Sequence, residues 1–475
     1  MNFEISIQDL IRVVGIFASI YVLKCVYDII YIAYFGPLSK IPGPKVSHLT
    51  KFYIGVKQIN GQRWKWLQNE IVPKYGKIVR VSPEIVLFSD KDIVKQELPK
   101  NRNYERLRTD EKYSTLFTAR DKEIHKRRRR VLSPAFSIKH LSSLEPFMHT
   151  CTNDLIAKID GEISKGGGKA VINIYLLIQY NALDVIGETA FGGSFKLVTN
   201  GNHPMPSKVF SELRRRVMRS LFPFLKPFLK QDPYIIDFIN KIIKQRRQES
   251  SHKKDLLQMM LDTKEDGLTD FEIYDQSIEF LIAGSDTTSF TATMIIIMLV
   301  KHPEALEKLV KEIDEALAGI GSEGPTHDQI KHLPYLNGVI NEGLRLFPTS
   351  RGPGKEATED LVLGGYFIPK GTLVIANTLG LHLSKEYWGE NAKEFVPERW
   401  LEPEKLTPDC FIPFSAGARN CIGLNFAWME LRLTIATLLY RYNFKDIENQ
   451  EIELLQFITP SLKSKEYNVV VSMRN

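Results

Sequence analysis

A ten-residue stretch near the C-terminal end, Phe414-Ser415-Ala416-Gly417-Ala418-Arg419-Asn420-Cys421-Ile422-Gly423, constrains this chain more than any other. One cysteine stands between two glycines, behind an aromatic residue and an arginine and ahead of a helix-like run from Leu424 to Leu439. A thiolate that must point at a metal through a low-dielectric pocket needs close backbone approach, which Gly417 and Gly423 supply, and donors that hold its negative charge. Arg419, two residues before the sulfur, is placed to reach a carboxylate on a large flat cofactor. Taken alone, the cysteine has a plainer reading as a buried free thiol in a loop, the usual fate of this residue. The rest of the chain decides between the two.

The 475 residues, 43% of them hydrophobic, are enough to bury a large core, and length alone allows two or three domains. A net charge of +7 is a mild basic excess. It attracts anionic lipid or an acidic protein and falls short of the dense basic face of a nucleic-acid binder. Four cysteines in a chain this long are not a disulfide framework: Cys25 lies in an apolar segment, Cys151 and Cys410 are isolated, and no Cys-x-x-Cys occurs. A cytosol-facing protein with one functional thiolate is the economical reading.

The N-terminus reads as a membrane anchor. Val13 to Leu23 is apolar except for Ser19, and the pattern continues past Lys24 and Asp28 to Phe35, reaching the roughly 20 residues that span a bilayer. An amphipathic helix lying in the interface is the alternative. Gly36, Pro37, Pro42, Gly43 and Pro44 cannot continue a helix and predict a stiff hinge crossed by few contacts, so residues 1–45 form anchor and hinge. No repeat or low-complexity linker divides residues 46–475, which read as one large domain. Residues 78–88 alternate like a pair of short strands, and Leu361 to Ala376 is a second β-rich patch with Gly364-Gly365 as a turn. Nearly everything else has helical period or length, which predicts a mainly α protein with a minor β lobe.

Residues 271–300 form the longest apolar helix, and Ala283-Gly284-Ser285-Asp286-Thr287-Thr288 breaks its middle. A glycine there costs about 1 kcal/mol against alanine, and a buried carboxylate costs more unless hydrogen-bonded. Local rule-breaking of this kind points to a functional site. Glu342 and Arg345 are three apart on a helix, and Arg399 follows in Pro397-Glu398-Arg399-Trp400. The basic run Lys126 to Arg130 follows His125; on a helix His125 and Arg129 share a face, while Arg127, Arg128 and Arg130 point elsewhere.

Four of these elements occur in the order found in the cytochrome P-450 superfamily, and the chain resembles its microsomal, above all its fungal, members. Phe414-x-x-Gly417-x-Arg419-x-Cys421-x-Gly423 is similar to the haem-thiolate loop, and Ala283 to Thr288 to the family's oxygen-handling helix element. Glu342, Arg345 and Arg399 match its buried charge network, with Trp400 in place of the commonest Phe. Arg129 matches a propionate-binding arginine, with His125 where the family usually has Trp.

The resemblance implies a cytochrome P450-type α+β fold and haem b with Cys421 as the axial thiolate on iron. Arg419, Arg129 and His125 would lie on the propionates, while Asp286 and Thr287 would handle protons. It implies insertion of one atom of O2 into an apolar small molecule (a sterol or steroid, a fatty acid, or an aromatic xenobiotic). Electrons would come from NADPH through a flavin reductase docking on Arg127, Arg128 and Arg130, with cytochrome b5 as a further donor. The place implied is the endoplasmic reticulum membrane, with the catalytic domain facing the cytosol. Leu221 to Lys230 reads as core packing or as a membrane-dipping lid. The alternatives are an isomerase or peroxide-driven enzyme of the same fold, a haem or sterol carrier, or a cysteine hydrolase.

Overall fold

The computed structural model describes residues 7–97, 104–106, 115–201, 203–205, 207–208, 211–212, 215, 218, 227–230, 232–248, 255–262, 268–319 and 324–474. Most of the Leu221 segment lies outside them, as do residues 98–103 and 107–114 between the first strands and His125.

One helix, Asp270–Lys301, organises the rest. Thr269 and Glu272 close a capping box at its start, and it runs for 32 residues, roughly 48 Å. Its side chains are buried on almost every face from Ile273 to Val300, as an apolar helix without a polar stripe requires. Helices Ile174–Phe191, Pro334–Leu346 and Leu424–Arg441 pack around it. Two glycines set how closely they approach. A Cβ on Gly284 would stand 2.7 Å from Ile186 Cδ1, and one on Gly343 would stand 2.4 Å from Ile295 Cγ1. The helix Ile174–Phe191 ends on Gly192 in the left-handed conformation.

The β lobe is a five-stranded sheet in the order β1-β2-β8-β5-β3: β1 Ile78–Ser82, β2 Ile85–Phe88, β3 Tyr104–Arg106, β5 Gly354–Ala357 and β8 Leu373–Ala376. Only β2 and β8 run parallel. The Gly364-Gly365 turn joins β6 Leu361–Leu363 to β7 Tyr366–Ile368, and φ of 55° and 81° at its glycines explains their presence in a two-residue hairpin. More strands form than the sequence reading foresaw. Lys169–Asn173 (β4), Tyr442–Asp446 (β9) and Asn468–Met473 (β12) make a three-stranded sheet, and Leu454–Gln456 (β10) pairs with Pro460–Leu462 (β11). The pairing of β4 with β12 spans most of the chain, and nothing local in Lys169–Asn173 announces its partner.

At the N-terminus, α1 (Ile7–Tyr34) is one helix of 28 residues. Ile20, Tyr21, Val22 and Leu23 are all more than half exposed, so apolar side chains point in four directions about 100° apart. The hinge expectation fails. Leu38 and Ile41 are buried with Val86, Phe88, Leu363 and Ile368 in the β lobe, and Arg80 N donates to Pro42 O at 2.8 Å. A Cβ on Gly43 would stand 2.2 Å from Arg80 O. Proline stiffness here serves packing against the sheet, not separation from it.

Behind the cysteine loop, Glu342 and Arg345 are wholly buried. Arg345 donates to Glu342 Oε2 and Oε1 at 2.8 and 2.7 Å, Arg399 Nε to Oε1 at 3.0 Å, and Trp400 Nε1 to Oε2 at 2.9 Å. The Trp at 400 therefore adds a donor to the carboxylate that a phenylalanine would lack.

Candidate functional site

The cysteine loop takes its shape from two left-handed residues, Ser415 at φ 61° and Gly417 at φ 76°. A side chain at 417 would be strained, so that glycine is demanded by the backbone. Cys421 N donates to Phe414 O at 2.9 Å, closing the loop on its leading aromatic residue. The thiol is accessible and lies just before the helix Leu424–Arg441, where the positive end of the helix dipole favours a thiolate. Gly423 differs from Gly417, because its φ is −85° and a Cβ there would lie 3.9 Å from both Cys421 Sγ and Phe136 Cε1. The chain tolerates that contact, so what glycine preserves is space beside the sulfur.

Arg419 is buried and donates to Ala119 O at 2.7 Å and Arg120 O at 3.2 Å, tying the loop to the segment before the helix Lys122–Leu132. On that helix, which Asp121 caps, His125 is buried and Arg129 is half-buried. Arg129 donates to Asn420 O at 2.6 Å and Asn420 Oδ1 at 2.8 Å. Burial lowers its pKa, and the charge of Cys421 partly offsets this, placing the guanidinium within electrostatic reach of the sulfur. Phe414, Arg129 and Gly423 thus lie close to Cys421, Arg419 ties its loop to the segment before the helix Lys122–Leu132, and His125 is buried on the same helix as Arg129.

The basic run departs from expectation. Arg127 and Arg128 both bond Glu272 at the start of the central helix, Arg128 Nη2 at 2.9 Å, and Arg128 is buried. Three residues apart on a helix is as close to one face as four, so Arg128 falls on the His125 side. Neither arginine is a free surface charge for a reductase; Lys126 and Arg130 are the exposed members.

The middle of the central helix opens. Ala283 is exposed and Gly284, Asp286 and Thr287 are half-buried, within a helix otherwise enclosed. Phe136 connects the two sides: its ring lies 5.5 Å from Phe280, one turn before Ala283, and it also borders Gly423. Hydroxyls bond back along the helix, Thr287 Oγ1 to Ala283 O at 2.7 Å, Thr291 Oγ1 to Thr287 O at 2.9 Å and Ser285 Oγ to Leu281 O at 2.7 Å, a pattern that bends helices. Burial pushes the Asp286 carboxyl up to about 6, with Lys465 pulling in the opposite direction. The small residue facing the open space is Ala283, because Gly284 is spent against Ile186.

Among the described residues no group of three or more His, Cys, Asp or Glu is placed to hold a bare metal ion. A lone accessible thiol with two guanidiniums suits a metal that brings the rest of its ligands in an acid-bearing flat ring. A family model for cytochrome P-450 matches residues 44–471, nearly the whole chain.

The chain belongs to the cytochrome P-450 family. The cytochrome P-450 monooxygenase LUC2 of Fusarium sp is 35% identical over 93% of this chain and 90% of its own length. The cytochrome P-450 monooxygenase FUS8 of Gibberella moniliformis is 33% identical over 93% and 89%. Human cytochrome P-450 3A7 is 33% identical over 69% of each chain. This cytochrome P-450 is accordingly an oxidoreductase of the monooxygenase type whose family centre is haem-thiolate iron, and which uses O2 and redox partners.

The sequence reading missed several of its supporting residues. His382 is buried, and its Nε2 accepts from Ile412 N at 3.0 Å while its Nδ1 meets Arg345 O at 3.2 Å. It joins the Glu342 network to the cysteine loop, and burial with Arg345 nearby pushes its pKa down to about 3, so it stays neutral. Asn420 carried a signal, being inside the motif. Phe136, Glu272 and Lys465 carried none, since each meets the site from a distant part of the chain.

Proposed function

We propose that this cytochrome P-450 holds haem b through Cys421 and oxidises an apolar small molecule of the sterol or steroid, fatty-acid or aromatic class. The observation that carries the reading is the accessible Cys421 thiol just before a helix N-terminus, with Phe136 bordering Gly423 on one side and Phe280 of the central helix on the other. Haem-thiolate iron supplies, when bound, the activation of O2 that puts one oxygen atom into substrate and the other into water.

The chain's own residues then divide the work. Cys421 is the ligand, held by the Phe414 carbonyl and the turn at Gly417. Arg419, Arg129 and His125 orient the ring's carboxylates; the two arginines are already fixed by backbone carbonyls on either side. Ala283, exposed within an otherwise enclosed helix, would leave room for the cofactor and substrate. Thr287 Oγ1, resting on Ala283 O, is one rotation about χ1 from donating into that space. Asp286 takes up and releases a proton near its pKa of about 6, a value suited to general acid–base work.

NADPH is used indirectly, through a flavin reductase with cytochrome b5 as a further donor, and the exposed Lys126 and Arg130 remain for that contact. The family match from residue 44 supports residues 46–475 as the haem domain and 1–45 as anchor and connector. The apolar circumference of α1 favours spanning over lying in the interface. That supports a membrane anchor, and by its likeness to microsomal members of the family we assign the haem domain to the cytosolic face of the endoplasmic reticulum. The reduced carbon monoxide complex tests the central claim. The wild type should show the red-shifted band of thiolate ligation, and Cys421→Ser should lose it; a retained band removes Cys421 as ligand.

A further inference from the structure

Arg351 lies in the segment that carries the chain from the helix Pro334–Leu346 to β5. It is 8% exposed, and none of its nitrogens has a hydrogen-bond or ion-pair partner among the described residues. The other buried arginines there are engaged by carboxylates, as Arg246 is by Asp255 at 2.8 Å, or by backbone carbonyls, as Arg419 is by Ala119 O. A guanidinium keeps its proton inside proteins, so neutralisation does not relieve its burial. Burial lowers the Arg351 pKa to about 10, which leaves it charged at neutral pH. An unpaired buried charge is costly until an anion reaches it.

The residue stands at the seam between the helical core and the β lobe. Phe347, at the start of its segment, packs against the core around the central helix. A Cβ on Gly352 would stand 2.1 Å from Trp64 Cη2 and 2.9 Å from Ile375 Cγ2, both of the β-lobe core, and Leu379 N donates to Arg351 O at 3.2 Å. Trp64 therefore borders the segment directly. Over its ring, 5.1 Å from the centroid, lies the guanidinium of Arg63, whose Nε is unpartnered and whose Nη1 donates to Gln58 Oε1 at 3.2 Å. Two guanidiniums thus flank one indole, and neither meets a carboxylate among the described residues. Seams of this kind are where apolar pockets with a few placed polar groups form.

We propose that Arg351 receives the carboxylate of the substrate, so that the substrate is an apolar acid, either a fatty acid or an aromatic acid, and not a neutral sterol or steroid. The inference rests on the monooxygenase reading above and narrows its substrate class. The planar fork of arginine matches a carboxylate with two parallel, charge-assisted hydrogen bonds. Trp64 supplies apolar surface beside it, and Arg63 adds positive potential that draws an acid in. The propionates of haem are a second source of the same chemistry. They are assigned to Arg419 and Arg129, whose bonds run to Ala119 and Asn420 on other elements.

The test is a set of spectral binding titrations on full-length, haem-loaded protein at neutral pH, with lauric, palmitic and para-butylbenzoic acids each set against its methyl ester. At least one acid should bind the wild type about tenfold more tightly than its ester, and Arg351→Gln should bring the two within about twofold. Haem transfer to apomyoglobin should keep its wild-type rate in the variant. Equal affinities for every acid and its ester, or a preference that survives Arg351→Gln, overturns the proposal. Haem transfer accelerated severalfold assigns Arg351 to a propionate and also overturns it. If Arg351→Gln does not load haem, Arg351→Lys replaces it. Lysine keeps the charge and loses the fork, so the preference should fall severalfold, and an unchanged preference sinks the proposal. A wild type without the red-shifted carbon monoxide band overturns the haem-thiolate reading itself, and this inference with it.

Discussion

Two acids in the interior of this cytochrome P-450, Glu342 and Asp286, are treated oppositely by their surroundings. Glu342 accepts from Arg345, Arg399 and Trp400, and from Val396 N at 3.0 Å. Asp286 has no side-chain hydrogen bond among the described residues, and burial raises its pKa to about 6. A carboxylate surrounded by donors on both oxygens locks the backbone segments that supply them. One left short of donors, with a lysine only partly compensating, keeps a proton that comes and goes near neutral pH. The comparison separates a charge that holds the fold from one that we propose works in turnover.

The hardest way to break the comparison is Glu342→Gln, which leaves two buried guanidiniums without their counter-charge. The expected loss is about 3–5 kcal/mol, enough to prevent accumulation of haem-loaded protein. Denaturant unfolding of whatever folds measures it, and a loss below about 1 kcal/mol would contradict the locking role.

Asp286→Asn should do the reverse, leaving fold and spectral substrate binding intact while product formation falls on the order of 100-fold. Turnover within twofold of wild type would take Asp286 out of proton handling.

The same variant carries a stability signature of opposite sign. Because the folded-state pKa is raised from 3.8 to about 6, the folded chain binds this proton more tightly than the unfolded one. Ionising the group therefore costs stability: nothing below about pH 4, and about 2 kcal/mol above pH 7 after allowing for partial exposure. Asp286→Asn should match wild type in urea at pH 4 and be more stable at pH 8. A constant difference across that range would mean that the carboxyl is not held neutral by burial.

The smallest effects are expected in the basic run, where the same contrast recurs between neighbours. Arg128→Gln breaks a buried pair with Glu272 and should lower stability with little change in the rate of electron delivery. Arg130→Glu, on the exposed side, should slow NADPH-driven reduction a few-fold and weaken its salt dependence, leaving dithionite reduction unchanged. Equal responses from the two positions would erase the distinction.

How much of this was legible follows from the distance between the groups involved. The strands flanking Pro83 and the hairpin at Gly364-Gly365 were visible because alternation and turn glycines act within a few residues. β12 has alternating burial at Val469 and Val471, yet its partner β4 at Lys169–Asn173 lies far back in the chain, so the sheet was not foreseen. The Cys421 loop was legible because backbone strain at Gly417 and the spacing of Arg419 are local demands. The fate of Arg128 was not, because Glu272 meets it only after the central helix has packed.

By itself the sequence determined the identities that chemistry requires: one cysteine before a helix, glycines around it, a small residue, an acid and hydroxyls inside an apolar helix, and an apolar segment long enough to span a bilayer. These depend on residue type and short-range geometry, which the chain carries in any conformation. Only the tertiary structure decided that Gly284 serves contact with Ile186, that the proline segment is packed into the β lobe, and that Arg80 caps α1. The same packing decided that Asp286 is short of donors while Glu342 is surrounded by them. Burial and hydrogen-bond completion are properties of what surrounds a group, and here the surroundings come from residues tens to hundreds of positions away.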